Sequence, residues 1–138
     1  MADTFNPKFG PTIAIPFSKT NLTTGESNTD LVLGGAGTLW VAPVAGSVVA
    51  ISGRSAAALT AGTITIKSHA AGTEHTQSGA PSPVLSSTAT GSYAVARPRT
   101  VRFAAGDTLG VSVTTTTTLD PTNTADVDVF LYVELDPD

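Results

Sequence analysis

Residues able to carry out chemistry are few in this chain of 138 residues, which holds two histidines and no cysteine. His69 and His75 flank an Ala-Ala-Gly turn and would face each other across a hairpin. As a metal pair they need a third ligand, and Glu74 is the nearby carboxylate. The simpler reading, two loop histidines in solvent, is the expectation here. Asp120, Asn123, Asp126 and Asp128 offer oxygen ligands for calcium, but they lack the spacing and turn glycine of an EF-hand. They read instead as turn-forming and solvated groups. Gly53-Arg54-Ser55-Ala56-Ala57 lacks the closing glycine of a nucleophile elbow. No phosphate-binding or dinucleotide fingerprint occurs. The missing cysteines remove thiolate chemistry, disulfides and cysteine-based zinc sites together. Paired carboxylates for glycoside hydrolysis meet only in space, yet the aromatics that stack on sugars are just 6% of the chain. The expectation is a protein that is not an enzyme and holds no cofactor and no metal.

Charged residues make up 13%, about half the usual ~25%. The net charge of −4 and a pI near 4.9 argue against nucleic acid, which requires a basic stripe. No apolar run reaches the ~20 residues of a membrane-spanning helix. MADTFNPKFGP has neither a positive n-region nor an apolar h-region. Synthesis in a reducing cytoplasm is therefore expected. Arg97-Pro98-Arg99, with Arg102 close behind, is the one basic cluster. It reads equally as a patch for acidic groups of a partner or as ordinary surface charge. Asn21-Leu22-Thr23 matches a glycosylation acceptor by accident if nothing secretes the chain.

The elements that must position these residues are strands. Residues 99–113 form two alternating runs joined by Ala-Ala-Gly-Asp, and residues 125–135 form a third. In the last run Val127, Val129, Leu131 and Val133 share one face. Asp126, Asp128, Phe130, Tyr132 and Glu134 share the other, with Phe130 and Tyr132 placed to cover an adjoining surface. Residues 47–55 alternate with Val49 and Ile51 together, and residues 63–68 with Ile64 and Ile66 inward. Seven to nine short strands at this spacing predict an all-β antiparallel sandwich over residues 31–138. Residues 1–30 differ, with Pro7, Pro11 and Pro16 and a polar stretch over 18–30. They read as an extended N-terminal arm in which residues 12–17 can add an edge strand.

Two stretches carry a resemblance. LWVAPVAGSVVAISGRSAAALTAGTITIK (residues 39–67) joins a strand, a Pro-x-x-Gly turn, an alternating strand and a small-residue loop. VRFAAGDTLGVSV, followed by DVFLYVEL, forms a Phe-x-x-Gly-Asp hairpin and a closing strand. Together they resemble small jelly-roll-like β-sandwich proteins of tailed-phage virions, most of all capsid decoration (cement) proteins. The resemblance implies a homotrimer on the capsid exterior that binds the major capsid protein and bridges capsomers. The alternative is a head-fibre or tail adhesion module for host glycans, with Trp40, Tyr93 and Tyr132 as its aromatics. The residues expected to meet a partner are Phe5, Ile13, Ile15 and Phe17 on the arm, Arg97 and Arg99 in the basic cluster, and Phe130 and Tyr132.

Overall fold

The computed structural model describes residues 10–34, 37–70, 80–122 and 125–137. Ten strands run in chain order as β1 (Thr12–Leu22), β2 (Thr29–Asp30), β3 (Trp40–Val41), β4 (Gly46–Ser55), β5 (Ile64–Ala70), β6 (Val84–Leu85), β7 (Gly91–Val95), β8 (Arg102–Phe103), β9 (Thr108–Thr115) and β10 (Ala125–Leu135). The first sheet has the order β1-β10-β4-β7, with β8 also on β4. The second has the order β2-β9-β5-β6, with β3 also on β9. All pairings are antiparallel. Leaving out β3 and β8, the first and last strands pair in one sheet while the second and next-to-last pair in the other. That nesting makes an antiparallel, jelly-roll-like β-sandwich.

The core lies between the sheets, and alternation decides who enters it. In β10, Val127, Val129, Leu131 and Val133 are all fully buried. They meet Ile64 and Ile66 from β5 and Leu109, Val111 and Val113 from β9 within one buried cluster. β-branched side chains suit this pleated, tightly packed setting.

One expected face was wrong by a residue. Val48, not Val49, is buried beside Ile51. Tyr132 pairs with Ala50 but Val133 pairs with Val48, so Val49 is the extra residue of a β-bulge. A bulge adds one residue to one strand and so reverses its facing beyond that point. Just beyond it, Gly46 packs against β10 so closely that an added Cβ would lie 2.3 Å from the Glu134 carbonyl oxygen and 2.8 Å from Phe103 Cζ. Gly46→Ala is expected to destabilise by ~1–3 kcal/mol through forced backbone displacement, read by urea denaturation.

The boundary at residue 30 is not a division of the sandwich. β1 pairs with β10 from Thr12 to Leu22, and β2 pairs with β9. Ile15, Phe17 and Leu22 are core residues, and Ile13 packs against the core. The residues read as an edge strand therefore form one, nearly twice as long as residues 12–17. Its alternation turns Ile15 and Phe17 inward, so neither is available to a partner. Phe5 lies outside the described residues.

Pro16 has a positional role in this edge. Ser18 exchanges both backbone bonds with Val32, at 2.9 and 2.8 Å, so the Ser18 backbone points away from β10. Two residues earlier, Pro16 points the same way and has no N–H to offer. Proline and short pairings of this kind blunt an exposed edge. Pro16→Val is expected to restore a donor there and to raise concentration-dependent association, measured by light scattering.

Candidate interaction surface

The outer face of the first sheet carries the aromatic pair of β10 and the candidate site around it. Pairing places Pro16 beside Phe130, Phe130 beside Ser52 and Ser52 beside Tyr93, a row across all four strands. The next row is Ala14, Tyr132, Ala50 and Val95. Phe130 is 42% exposed, Val95 69% and Tyr93 75%, so these large apolar side chains are in solvent. The Phe130 and Tyr132 rings lie 6.4 Å apart and tilted by 38°. The Ser52 hydroxyl donates to the Tyr132 hydroxyl at 3.4 Å.

Beside these rings runs an open groove of about 710 Å³, bordered by Pro16, Phe130, Tyr132, Arg54 and Asp128, with Val32, which bridges to the edge of β1, and Gly34 also lining it. Arg54 and Asp128 are cross-strand neighbours, so the groove ends in one charge of each sign. Its chemistry is that of contact: apolar area flanked by a few orienting polar groups.

The other expected residues fall elsewhere. Arg99 reaches Glu134 at 3.6 Å, and Arg102 forms a two-pronged pair with Asp136, one arm at 2.7 Å. Arg97 is exposed, and its carbonyl accepts from the Thr100 N–H and hydroxyl. The basic cluster is thus spent largely on the chain's own C-terminal acids. The hydrogen bond from Arg102 holds the Asp136 carboxyl below the usual aspartate range. Its folded pKa lies below its unfolded one, so this contribution is present above the ordinary aspartate pKa and is lost as pH falls through the lowered value. In an NMR titration Asp136 is expected to titrate below ordinary aspartates and to move back up in Arg102→Gln.

His69 is a correction. It is not a loop residue in solvent but a buried residue of β5, with Nε2 3.4 Å from Asp30 Oδ1. Gly110, its partner on β9, makes the space: a Cβ there would lie 2.8 Å from Nε2. His75, Glu74 and Asn123 lie outside the described residues. Among the described residues no three metal-ligating side chains converge. Trp40 is half-buried and packs edge-on against Phe103 at 6.0 Å, away from the tyrosines. What sequence reasoning missed is Pro16 and Ser52, which complete the groove. No local signal marks them, because they join it only through strand pairing.

No protein-family model matches the chain, and no curated protein matches it in sequence. Solved structures do match. The chain is similar in fold to a chain in the acidic stable capsid structure of Helicobacter pylori bacteriophage KHP30. That likeness has a TM-score of 0.51 at 11% identity and covers 93% of this chain and 90% of that one. A chain of the cyanophage Pam1 capsid asymmetric unit aligns at 16% identity and a TM-score of 0.48, over 95% of this chain and 89% of that one. At 11% identity the likeness to the KHP30 capsid chain is one of fold alone. Folds of this class host many functions, so the role has to be argued from the surface.

Proposed function

We propose that this chain is a non-enzymatic structural protein of a phage virion, a decoration (cement) protein that stabilises an icosahedral capsid by bridging capsomers. Its partner is the major capsid protein, and it acts as a homotrimer on the capsid exterior after synthesis in the host cytoplasm. It binds no nucleic acid and no membrane. The observation that carries this reading is the exposed apolar surface through Phe130, Tyr93 and Val95 beside an open groove. Such a patch on a sandwich with few charges fits a protein–protein contact. The fold shared with a phage capsid chain supports the virion setting. Contacts expected of the arm pass to residues 1–9, which include Phe5, since Ile15 and Phe17 are in the core. Arg97 remains a rim contact.

Quantitative mass spectrometry of purified virions tests the reading directly. A copy number near parity with the major capsid protein is expected. A very small ratio indicates a fibre, vertex or tail part, and absence removes the virion role. Phe130→Ala is expected to weaken capsid binding by at least ~30-fold, the effect of a central contact worth ~2 kcal/mol. Binding that is unchanged in this variant would place the contact elsewhere.

The second reading, an adhesion module for host glycans, is favoured by one observation: Tyr93, Phe130 and Tyr132 share a face next to polar Arg54 and Asp128. It predicts a glycan-array signal lost in Tyr132→Ala, and an array without signal removes it.

A further inference from the structure

We infer that β7 is a self-pairing edge, through which two copies of this chain join their first sheets across a two-fold axis at Tyr93. The argument begins with the backbone. Ser55 donates to the Thr90 carbonyl at 2.8 Å, and Ala96 donates to the Val49 carbonyl at 2.9 Å. Residues 90, 92, 94 and 96 therefore turn their polar backbone toward β4. In an antiparallel pair the residues between them turn theirs the other way. Gly91, Tyr93 and Val95 thus present N–H and C=O groups outward from what is, among the described residues, the last strand of the sheet. A row of that kind is recognised by another extended strand.

Among the described residues the other edge strands are poorer templates for this. Pro16 and Val32 interrupt β1, while β2, β3, β6 and β8 are two residues long. β7 runs Gly-Ser-Tyr-Ala-Val, with no charge and no proline. It lacks the devices by which edge strands normally avoid each other.

A second copy fits the row by symmetry. Antiparallel pairing centred on Tyr93 sets Tyr93 opposite Tyr93 and Val95 opposite Gly91 at both ends. All three outward residues are then satisfied on each copy. The tyrosines form a cross-strand aromatic pair. The Val95 side chain, 69% exposed in one copy, lies over a glycine that has none. No like charges meet within the paired strands. The row Phe130, Ser52, Tyr93 on one copy is then continued by Tyr93, Ser52 and Phe130 of the next.

Area sets the strength. Two tyrosines at ~150–250 Å² each and two smaller valines fall short of the ~1,000 Å² of a stand-alone dimer. The contact is weak in solution and gains when copies are held side by side. It is a contact other than the one that closes a trimer, since a two-fold contact does not close one, and it shares Tyr93 and Val95 with the surface assigned to the capsid.

The chain has no cysteine, so single-cysteine variants report the register cleanly. In the paired state the two copies bring their Cα atoms at position 93 to ~5.5 Å from each other, inside the disulfide range, whereas those at position 95 stand ~14 Å apart. Under mild oxidation at high protein concentration, Tyr93→Cys is expected to crosslink at least ~10-fold faster than Val95→Cys, since both sites are similarly exposed and differ only in register. Sedimentation of the unmodified chain, 13.9 kDa as a single copy, is expected to shift with concentration toward twice the mass it has when dilute. Tyr93→Lys is expected to abolish the shift while keeping the thermal transition, because like charges would then stand directly opposite. Equal crosslinking rates at the two positions overturn the inference, as does a concentration-independent monomer. A trimer whose Tyr93→Cys form does not crosslink overturns it as well.

Discussion

Removal of residues 1–22 is expected to abolish cooperative unfolding, whereas removal of residues 1–9 leaves the transition in place. The first truncation takes away β1 and with it Ile15, Phe17 and Leu22, which are 4%, 2% and 0% exposed. Burying each such side chain is worth ~1.5–3 kcal/mol, so the three together rival the ~5–15 kcal/mol that stabilises a whole domain. It also strips β10 of one neighbour and turns a central strand of eleven residues into an open edge. Thermal melts by circular dichroism, with size-exclusion chromatography for aggregation, distinguish the outcomes. A sigmoidal melt of the longer truncation, within a few degrees of the full chain, would show that β1 is an appendage after all. Capsid binding is then best assayed with the shorter truncation, which removes Phe5 and keeps β1.

Leu131→Ala is expected to cost ~2–5 kcal/mol of stability, while Phe130→Ala next to it costs no more than ~1 kcal/mol. Leu131 is fully buried at the centre of β10, pairing with Ile15 on one side and Ile51 on the other. Its removal leaves a cavity between two sheets that cannot close without moving a ladder. Phe130 stands on the opposite face, 42% exposed, so its loss opens no cavity between the sheets. Urea denaturation of both variants at unchanged m-value checks the difference. Equal losses would mean that the outer face is structural. In capsid binding the order reverses: Phe130→Ala is the severe variant, and a folded Leu131→Ala protein is expected to bind nearly normally.

The sandwich was legible because its signal is local. Alternation in residues 125–135 named the inward and outward residues of β10 without error. The Ala-Ala-Gly-Asp turn before Thr108 separated β8 and β9 correctly. The same logic failed at Val49, since nothing local announces a bulge whose cause is the register of the neighbouring strand. It failed again at His69, where polarity suggested solvent. The imidazole is covered because Gly110 leaves room beside it and Asp30 reaches it from another strand. Arg99 and Arg102 looked available to a partner because Glu134 and Asp136 are more than thirty residues away in the chain.

The class of the fold, the inward set of its last strand and the scarcity of reactive groups were all readable from the chain before it folds. Each follows from residue type and from a period of two, which a chain carries along its length. Folding had to settle the rest: that β1 is a member of the sheet, that Pro16, Ser52 and Tyr93 share a row with Phe130, and which edges stay open. Those facts depend on which strands become neighbours. In this sandwich the neighbours β1 and β10 lie at opposite ends of the chain, beyond the reach of any local pattern.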